Sequence, residues 1–510
     1  MKRMISRRIL VGMAVAGLNM VAGPAMANNV VVTNTDLQAP GAGKVTVRFD
    51  LAWDNSWRDG TNYDACWVFV KYSTDGGTNW SHATLATSGT NPAGFSGGSG
   101  TSLDIVVPAD KAGAFIQRSV VGAGTVANTG VQLVWDFATN GVGKCGSARV
   151  KVFAVEMVYV KEGAFKVGSG GSETSPFYEY PTPANPYTIS NEAAIAVGTN
   201  AGNLAYAGSG SNTIPAAFPK GYAAFYLMKM EISQRQYCDF LNTLTATQQD
   251  NRHDSALHFN SYRNFIKKTS GSPAFFGCDA NNNAGAATSA NAALLNETND
   301  GEWVACVYIS WMDGAAFADW AALRPFTELE FEKACRGPLA AVSNEYAWGD
   351  ATLEAPVTSV LNNQYTASEA PNQGNCNSAG CQPLGPYRVG SYADASSSRV
   401  NAGAGYYGAL DLSGNLWEKT VTVAHSTGRG FTGMHGDGIL SVIGNANVGL
   451  WPGFIDGVEE VTGATGAGFR GGSWFHAGAN SQVSDRFAAA NPETSRNQRD
   501  IGWRGARSAP

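Results

Sequence analysis

The sequence lacks the residue patterns that many metal-dependent and nucleotide-hydrolysing enzymes need. Its six histidines form neither an H-x-H nor an H-E-x-x-H pattern, and His435-Gly436-Asp437 is more typical of a turn than of a ligand pair. A phosphate-binding loop is absent, because the glycines of 466–472 carry no lysine. No cysteine follows Cys381. These absences argue against zinc-protease and phosphate-cradling functions.

The chain also lacks a basic block. Its 510 residues contain 35 lysines and arginines against 41 acids, which gives a net charge of −6. An acidic chain of this kind is not expected to bind nucleic acid or an anionic membrane surface. Its length is sufficient for two domains, each with a core of its own.

Only one long apolar run occurs, and it belongs to an export signal. Residues 1–27 combine a basic start, the apolar run Ile9–Val21 and the cleavage pattern Ala25-Met26-Ala27. The run is too short for a membrane span, so no transmembrane segment is expected. Ser6–Leu10 partly resembles a twin-arginine motif, which leaves the export route open. Removal of the leader changes the net charge from −6 to −10. We expect the mature protein in the periplasm, at the cell surface or outside the cell.

Eight cysteines are compatible with disulfides in an exported protein. Cys376 and Cys381 could close a short loop, and Cys66 and Cys145 could form a bridge in the N-terminal segment. Others, such as Cys238, lie in apolar helix patterns and are equally consistent with buried free thiols. The sequence does not determine the connectivity.

Residues 28–153 are predicted to form an all-β domain. Alternation of apolar and polar residues in Val45–Trp53 indicates a strand with one buried face, and similar runs follow at 66–72, 103–107, 131–137 and 150–155. Turn-forming clusters separate these runs. The pattern predicts an antiparallel sandwich of the immunoglobulin or fibronectin type, which would act as a spacer, docking or adhesive module.

Residues 154–510 are predicted to form a loop-rich α+β domain with two polar inserts, 169–220 and 246–300. Three helices are expected. Ser233 and Gln236 form a capping box at the start of the first, and the second covers about 311–323. Thr327 and Glu330 cap the third, which ends at Gly337.

One segment has spacing suited to a hard metal ion. Side-chain oxygens recur at positions 411, 413 and 415 of Asp411–Glu418, and a carboxylate stands at 418. On spacing alone, a turn with a capping acid is the simpler interpretation.

Seven motifs in order resemble the formylglycine-generating enzyme, or sulfatase-modifying factor, family. They span about 350 residues, and none covers 28–150. The motifs are M-V-Y-V-K-E-G-A-F-K-V-G-S (157–169), K-M-E-I-S-Q-R-Q-Y-C-D-F-L-N (229–242), V-Y-I-S-W-M-D-G-A-A-F-A-D-W (307–320), R-P-F-T-E-L-E-F-E-K-A-C-R-G (324–337), Y-A-W-G-D (346–350), A-L-D-L-S-G-N-L-W-E (409–418) and F-R-G-G-S-W with I-G-W-R-G-A-R (469–507).

The resemblance implies a loop-rich fold related to C-type lectins, with structural Ca²⁺ bound inside. By this match, carbonyls near Ser413, Gly414 and Leu416 and the Glu418 carboxylate would be the metal ligands. The two patterned ends of the closing segment, 468–474 and 501–507, would be paired strands that seal the core. The six arginines of this segment would anchor loops by pairing with carboxylates.

The sequence departs from the family at its catalytic position. The family oxidase uses two cysteines after R-G-G-S to bind copper, whereas 474–481 here contains none. Copper is therefore not expected, because thiolates are the ligands that select copper(I). Lys419 stands where the family usually has a second tryptophan. The iron-dependent sulfoxide-forming relatives need a histidine-bearing helical domain, whereas this N-terminal segment is β.

Two functions from different classes follow. The favoured one is a non-catalytic protein that displays the loop 475–500 to an unknown protein, peptide or glycan. The alternative is an enzyme, either a sulfatase-modifying-factor-type oxidoreductase or one with altered chemistry, that would use His476, Asp485 and Arg486. The candidate ligand-binding residues of the first function are Trp474, Phe475, His476, Asn480 and Gln482.

Overall fold

A computed structural model describes residues 30–254, 259–355 and 360–510. The expected export signal, 1–27, lies outside the described residues. Strand accounts for 28% and helix for 10% of the structure, so the fold is β-rich with a few helices, as expected for an α+β protein of this type. Across the described ranges, every helix is too short or too polar to traverse a bilayer.

The N-terminal segment folds into two facing layers of strands. One layer is a three-stranded sheet in which β2 (Val45–Arg58) lies between β1 (Val31–Gln38) and β8 (Gly122–Trp135). The predicted alternation in β2 is confirmed, since Val45, Phe49 and Trp53 are buried and pack with Val68 of the facing layer. The strands are β1 (Val31–Gln38), β2 (Val45–Arg58), β3 (Asp64–Ser73), β4 (Ser81–His82), β5 (Gly89–Thr90), β6 (Leu103–Val107), β7 (Ala114–Arg118), β8 (Gly122–Trp135) and β9 (Arg149–Val160).

The C-terminal region contains many short strands between long loops. They are β10 (Phe165–Val167), β11 (Tyr178–Glu179), β12 (Tyr187–Ile189), β13 (Ile195–Val197), β14 (Leu204–Ala205), β15 (Asn212–Ile214), β16 (Phe225–Met228), β17 (Ile266–Lys268), β18 (Phe276–Cys278), β19 (Leu361–Asn362), β20 (Ala370–Pro371), β21 (Trp417–Val421), β22 (Phe454–Ile455), β23 (Glu460–Val461), β24 (Ala467–Arg470), β25 (Ile501–Gly502) and β26 (Ala506–Ser508).

The second layer of the N-terminal segment continues into the C-terminal region as one sheet. Its order is β26-β16-β9-β3-β7-β6-β5, with β4 added on β3. Strand β9 pairs with β3 along 149–158 and with β16 along 157–160, so the boundary expected between 153 and 154 lies inside this strand. Trp67 reinforces the junction, because its indole N–H donates to the Ala321 carbonyl at 2.8 Å. The two parts of the chain therefore share a sheet and a buried contact.

Two helices begin at the predicted capping boxes, Ser233 and Thr327, and the second helix has a further capping box at Ser310. The third helix ends at Gly337, where φ is 64°. The second helix ends at Trp320, three residues earlier than expected. The α-helices are α1 (Gln234–Leu241), α2 (Ala246–Arg252), α3 (Trp311–Trp320), α4 (Glu328–Arg336) and α5 (Ser426–Arg429), and the 3₁₀ turns are Ala292–Leu294 and Gly478–Ser481.

Both polar inserts contain more regular structure than predicted. The first holds a four-stranded sheet of order β11-β14-β13-β15, and the second holds α2 and the β17–β18 hairpin. Thr245 and Gln248 form a capping box at α2. This S/T-x-x-Q signal was present in the sequence, but α2 has too few apolar residues to be recognised by periodicity.

The closing segment differs from the expected hairpin. β24 and β25 do not pair with each other, because β21 lies between them, antiparallel to β24 and parallel to β25. The end of the chain, β26, pairs instead with β16 of the large sheet. The prediction of paired closing strands was therefore wrong in its pairing, although both strands exist.

The eight cysteines are buried free thiols. The local closure considered for Cys376 and Cys381 is not formed. The Cys376 thiol donates to the Ser413 carbonyl at 3.1 Å, and the Cys381 thiol donates to the Ser378 carbonyl at 2.8 Å. Cys66 and Cys145 are not bridged either.

Candidate functional site

Buried arginine–carboxylate pairs fix the loops around the C-terminal segment. Glu328, at the start of α4, receives Arg486 through two hydrogen bonds of 2.7 and 3.1 Å. Arg470 adds a contact of 3.3 Å to Glu328 and one of 2.9 Å to Glu332. Arg496 pairs with Asp313, Arg504 with Glu418 and Arg507 with Asp110. The prediction that these arginines anchor loops through carboxylates is thus confirmed for five of the six.

Two neighbouring arginines keep the buried Glu328 carboxyl ionised. Burial alone would raise its pKa, but Arg486 and Arg470 outweigh burial and lower the pKa below its ordinary value of 4.5. The side chains of Glu328 and Arg470 are completely buried. This cluster is therefore an ionised structural hub.

Asp485 and Arg486 serve this scaffold. The Asp485 carboxylate accepts the backbone N–H groups of Thr174 and Phe487 at 3.1 and 3.0 Å. The Arg486 guanidinium, besides binding Glu328, stacks 4.0 Å from the centre of the Phe177 ring. His476 contacts neither of them in its hydrogen bonds and ring contacts, which it makes with Trp417, Ser473, Asp500 and Phe475. The structure therefore does not assemble the three residues considered for an altered enzyme.

Arg499, the sixth arginine, takes part instead in a stack of which Phe475 is the exposed member. Its guanidinium lies 4.2 Å from the centre of the Phe475 ring and 4.9 Å from that of Tyr262. It also donates to the Tyr262 hydroxyl at 3.1 Å. Phe475 is 48% exposed. We call Tyr262, Phe475, His476 and Arg499 the Phe475–Arg499 surface.

Trp474 supports this surface from below. It is fully buried, its ring centre lies 5.3 Å from that of Tyr262, and its indole N–H donates to the Arg499 carbonyl at 3.2 Å. Trp474 therefore orients the exposed groups and does not itself face outward, unlike its assignment as a ligand-binding residue.

Asn480 and Gln482 lie at the 3₁₀ turn Gly478–Ser481 and are both partly buried. The Gln482 side chain forms a hydrogen bond with the Tyr346 hydroxyl. Of the five residues predicted to bind a ligand, Phe475 and His476 belong to the Phe475–Arg499 surface.

His476 is held by three neighbours at one nitrogen. Its Nδ1 lies 3.0 Å from the Trp417 indole nitrogen, from the Ser473 hydroxyl and from an Asp500 carboxylate oxygen. The Trp417 indole N–H donates to Nδ1, and Ser473 donates to Asp500 at 2.9 Å. These groups hold the imidazole in place, and the His476 side chain stays 35% exposed.

This arrangement is not that of a hydrolytic triad. In a triad the serine and the carboxylate contact opposite nitrogens of the histidine, so that the base is oriented while it accepts a proton. Here Ser473 and Asp500 both approach Nδ1, and Ser473 is completely buried. Ser473 and Asp500 therefore hold the imidazole from one side, at a single nitrogen.

The Cys376–Cys381 loop packs beside this surface. The N–H groups of Ala379 and Gly380 donate to the carbonyls of His476 and Trp474 at 2.8 and 2.7 Å. Burial raises the pKa of the Cys376 thiol to about 12, so this thiol stays protonated at neutral pH. It therefore contributes no thiolate to the site.

The predicted metal ligands lie in a buried acidic region. The Ser413 hydroxyl donates to the Ser481 carbonyl, Gly414 N–H donates to Gly471, and Leu416 N–H donates to Glu231 at 2.9 Å. Both Glu418 oxygens accept the Arg504 guanidinium. No group of three or more His, Cys, Asp or Glu side chains arranged for a metal ion occurs in the part of the chain that the structure describes.

The region nevertheless has an excess of acid. Burial, and then Asp411 and Glu418, raise the pKa of Glu231. Burial also raises the pKa of Glu418 to about 7, although Arg504 opposes this shift. A cluster with so many buried carboxylic oxygens offers the hard oxygen donors that Ca²⁺ prefers, but Arg504 already occupies both oxygens of Glu418.

Three members of the site were not identified from the sequence. Tyr262 lies in an insert with little pattern, and Trp417 and Asp500 lie 59 and 24 residues from His476 in the chain. Trp417 and Asp500 come together because β21 and β25 pair in parallel, which places Trp417 opposite Ile501. No local sequence signal encodes this contact.

The fold and this surface define a class of protein: a β-rich α+β scaffold with loops fixed by buried ion pairs and an exposed aromatic and cationic surface on its C-terminal loop. The chain belongs to the sulfatase-modifying factor family, because the protein-family model described as "Sulfatase-modifying factor enzyme 1-like domain" matches residues 147–509. This match confirms the resemblance found in the sequence motifs.

Individual relatives align over shorter stretches. The formylglycine-generating enzyme of Mycobacterium tuberculosis is 32% identical over 117 residues, which cover 23% of this chain and 32% of that enzyme. That of Streptomyces coelicolor is 52% identical over 44 residues, or 9% of this chain and 13% of the enzyme. The hercynine oxygenase of M. tuberculosis is 28% identical over 173 residues, or 33% and 29% of the two chains. The chain thus spans about a third or less of the relatives' length.

Proposed function

We propose that this protein is an exported, non-catalytic member of the family that presents the Phe475–Arg499 surface to a protein, peptide or glycan. The observation that carries the proposal is the exposed stack of Phe475 and Arg499 at the family's catalytic position. Aromatic residues and arginine dominate the energetics of recognition surfaces. The buried ion pairs around Glu328 support the proposal, because they fix the loops from which the surface is built.

The proposal includes a structural role for both parts of the chain. The C-terminal region would be a C-type-lectin-like scaffold, and the N-terminal layers would be an immunoglobulin- or fibronectin-like sandwich that docks or spaces it. The shared strand β9 supports a fixed orientation of the surface relative to that sandwich.

The binding test uses two variants and a matched control. Phe475→Ala and Arg499→Ala should each remove most binding in a peptide and glycan screen, while Phe487→Ala should not. Phe487 is 64% exposed and is therefore a more accessible phenylalanine outside the surface. Equal loss in all three variants, or no loss in any, would refute the assignment of the site.

The non-catalytic part has its own test. Purified protein supplied with copper and cysteine-containing peptides should consume no oxygen. Robust copper-dependent turnover would overturn this part of the proposal and leave the binding test unaffected.

Structural Ca²⁺ is a further part of the proposal. Glu418, with the carbonyls of Ser413, Gly414 and Leu416, would hold it, and the cation would balance the excess of buried acid. Added Ca²⁺ should raise the unfolding temperature of the wild type but not of Glu418→Gln. An equal rise in both proteins would place the ion elsewhere, and no rise in either would remove it.

One observation favours an enzyme as the second candidate: the partly exposed imidazole of His476 lies at the position that the family resemblance implies to be catalytic. If any activity is found, His476→Ala should abolish it. An unchanged rate would exclude this residue from the mechanism.

A further inference from the structure

A second cleft lies away from the Phe475–Arg499 surface, between two loops of the C-terminal region. It has a volume of about 440 Å³. One wall is the segment that follows the 3₁₀ turn Ala292–Leu294, and the other is the loop that joins β19 to β20. One hydrogen bond joins the two walls: the Gly301 N–H donates to the Tyr365 carbonyl at 2.8 Å. The cleft is therefore a feature of the packed fold.

The lining combines one aromatic ring with neutral polar groups and one carboxylate, that of Glu302. Trp303 is partly buried and supplies the ring. The complete lining is Asn296, Thr298, Glu302, Trp303, Asn363, Thr366, Ala367 and Ser368.

Several of these groups are held in place by the protein. The Asn296 amide oxygen accepts Cys278 N–H at 2.9 Å, which fixes the direction of its NH₂ group. Thr366 donates to the Asn363 carbonyl at 2.8 Å and lies 2.9 Å from the Ser368 hydroxyl. The polar groups of both walls are thus pre-organised, which lowers the cost of ordering them when a ligand binds.

Other polar groups remain available. Within the described ranges, the hydroxyl of Thr298, the indole N–H of Trp303 and the NH₂ group of Asn296 have no protein hydrogen-bond partner. The Glu302 carboxylate is only weakly bound by Arg235, at 3.5 Å. The wall formed by 296–303 therefore offers donors and acceptors together with an aromatic ring.

The chemistry of the lining selects among ligand classes. The lining residues include no lysine or arginine, so phosphate and carboxylate ligands lack a counter-charge. A purely apolar ligand would leave the amides and hydroxyls without partners. A neutral sugar matches both features, because its C–H face can lie on an aromatic ring while its hydroxyls exchange hydrogen bonds with amides, hydroxyls and a carboxylate.

We propose that the cleft at Trp303 is a binding site for a neutral saccharide, with Trp303 as the stacking ring and Asn296, Thr298 and Glu302 as hydroxyl-binding groups. It is separate from the surface proposed above, since the two sets share no residue. On the proposal above that the protein is exported, this site would tether it to a glycan surface.

Saturation-transfer NMR with the full-length protein tests the proposal. The probes are cellobiose, maltose, lactose and N,N′-diacetylchitobiose, with a library of short neutral peptides as a second arm. At least one saccharide should show transfer to the wild type. Trp303→Ala should weaken its binding by about tenfold or more, the scale of a lost ring contact, and Trp303→Phe should weaken it less.

Two further variants complete the test: one replaces Trp303→Ala if that variant unfolds, and the other separates the two sites. Thr298→Val changes an exposed turn residue and should weaken binding by about three- to tenfold, the net value of one hydrogen bond. Phe475→Ala should bind the saccharide as the wild type does, which separates this site from the Phe475–Arg499 surface. The absence of transfer from every saccharide, transfer from peptides alone, or undiminished binding by Trp303→Ala and Thr298→Val would overturn the proposal.

Discussion

Replacement of Glu328 with glutamine tests the idea that buried ion pairs fix the loops of this protein. The change keeps the shape of the side chain and removes its charge. Two arginines, Arg470 and Arg486, would then lose a common partner in the interior, at contacts that now measure 3.3 and 2.7 Å. The hydrogen bonds from Thr422 and Val423, both 2.9 Å, can be retained by the amide oxygen.

The expected loss is large because a buried charge is left without compensation. Removing one partner of a buried ion pair typically costs about 3–5 kcal/mol. Glu328 has two such partners, but Arg470 keeps Glu332 at 2.9 Å, so we expect one full loss of about 4 kcal/mol in the free energy of unfolding. This is a large fraction of the usual stability of a folded protein.

The assay is urea denaturation at neutral pH, followed by tryptophan fluorescence. The matched control is Asp250→Asn, which breaks a pair with Lys268 whose acid side chain is 74% exposed, and it should cost at most about 1 kcal/mol. A loss in Glu328→Gln that is no larger than in the control would refute the reasoning.

The same cluster predicts an acid limit of stability. The pKa of Glu328 is lower when folded than its ordinary value of 4.5, so its contribution is complete above about pH 4.5 and is lost as the pH falls through the folded value. The stability difference between the wild type and Glu328→Gln should therefore shrink in acid. A difference that is constant down to the acid transition would contradict the assigned ionisation.

Three further predictions concern packing, titration and thiol chemistry. Gly314→Ala should lower the free energy of unfolding by about 1–3 kcal/mol or more, because the added methyl would lie 2.1 Å from the Trp503 ring. Gly146 has open space around it, so Gly146→Ala should leave the thermal unfolding temperature unchanged. Burial lowers the pKa of Lys71 from 10.5 to about 7, so the free energy of unfolding should rise between these pH values more steeply in the wild type than in Lys71→Met, and parallel pH profiles would refute this. The eight buried cysteines should react with a thiol reagent only after denaturation, and fewer than eight reactive thiols would reveal a disulfide.

Local patterns predicted the elements of this fold well. The strand alternation of β2 and the capping boxes of α1 and α4 depend on residues two to four positions apart, and such short-range signals can be read from the sequence. The seven ordered motifs similarly indicated the family that the match over 147–509 shows.

The pairing of the closing strands could not be read in this way. β24 and β25 are bracketed by loops and look like a hairpin, but the partner of both is β21, about fifty residues before β24. Strand pairing over such a distance depends on which arrangement buries the core, and no short-range signal reports it.

The candidate site shows the same division. The sequence by itself determined that the C-terminal loop carries arginines, Phe475 and His476, and that it contains no cysteine. Only the tertiary structure decided that Arg499 is the arginine in the exposed stack, because its neighbour Tyr262 comes from an insert 237 residues away. Which cation is paired with a buried carboxylate and which remains at the surface depends on the enclosing packing, since charge in the interior is stable only beside a partner.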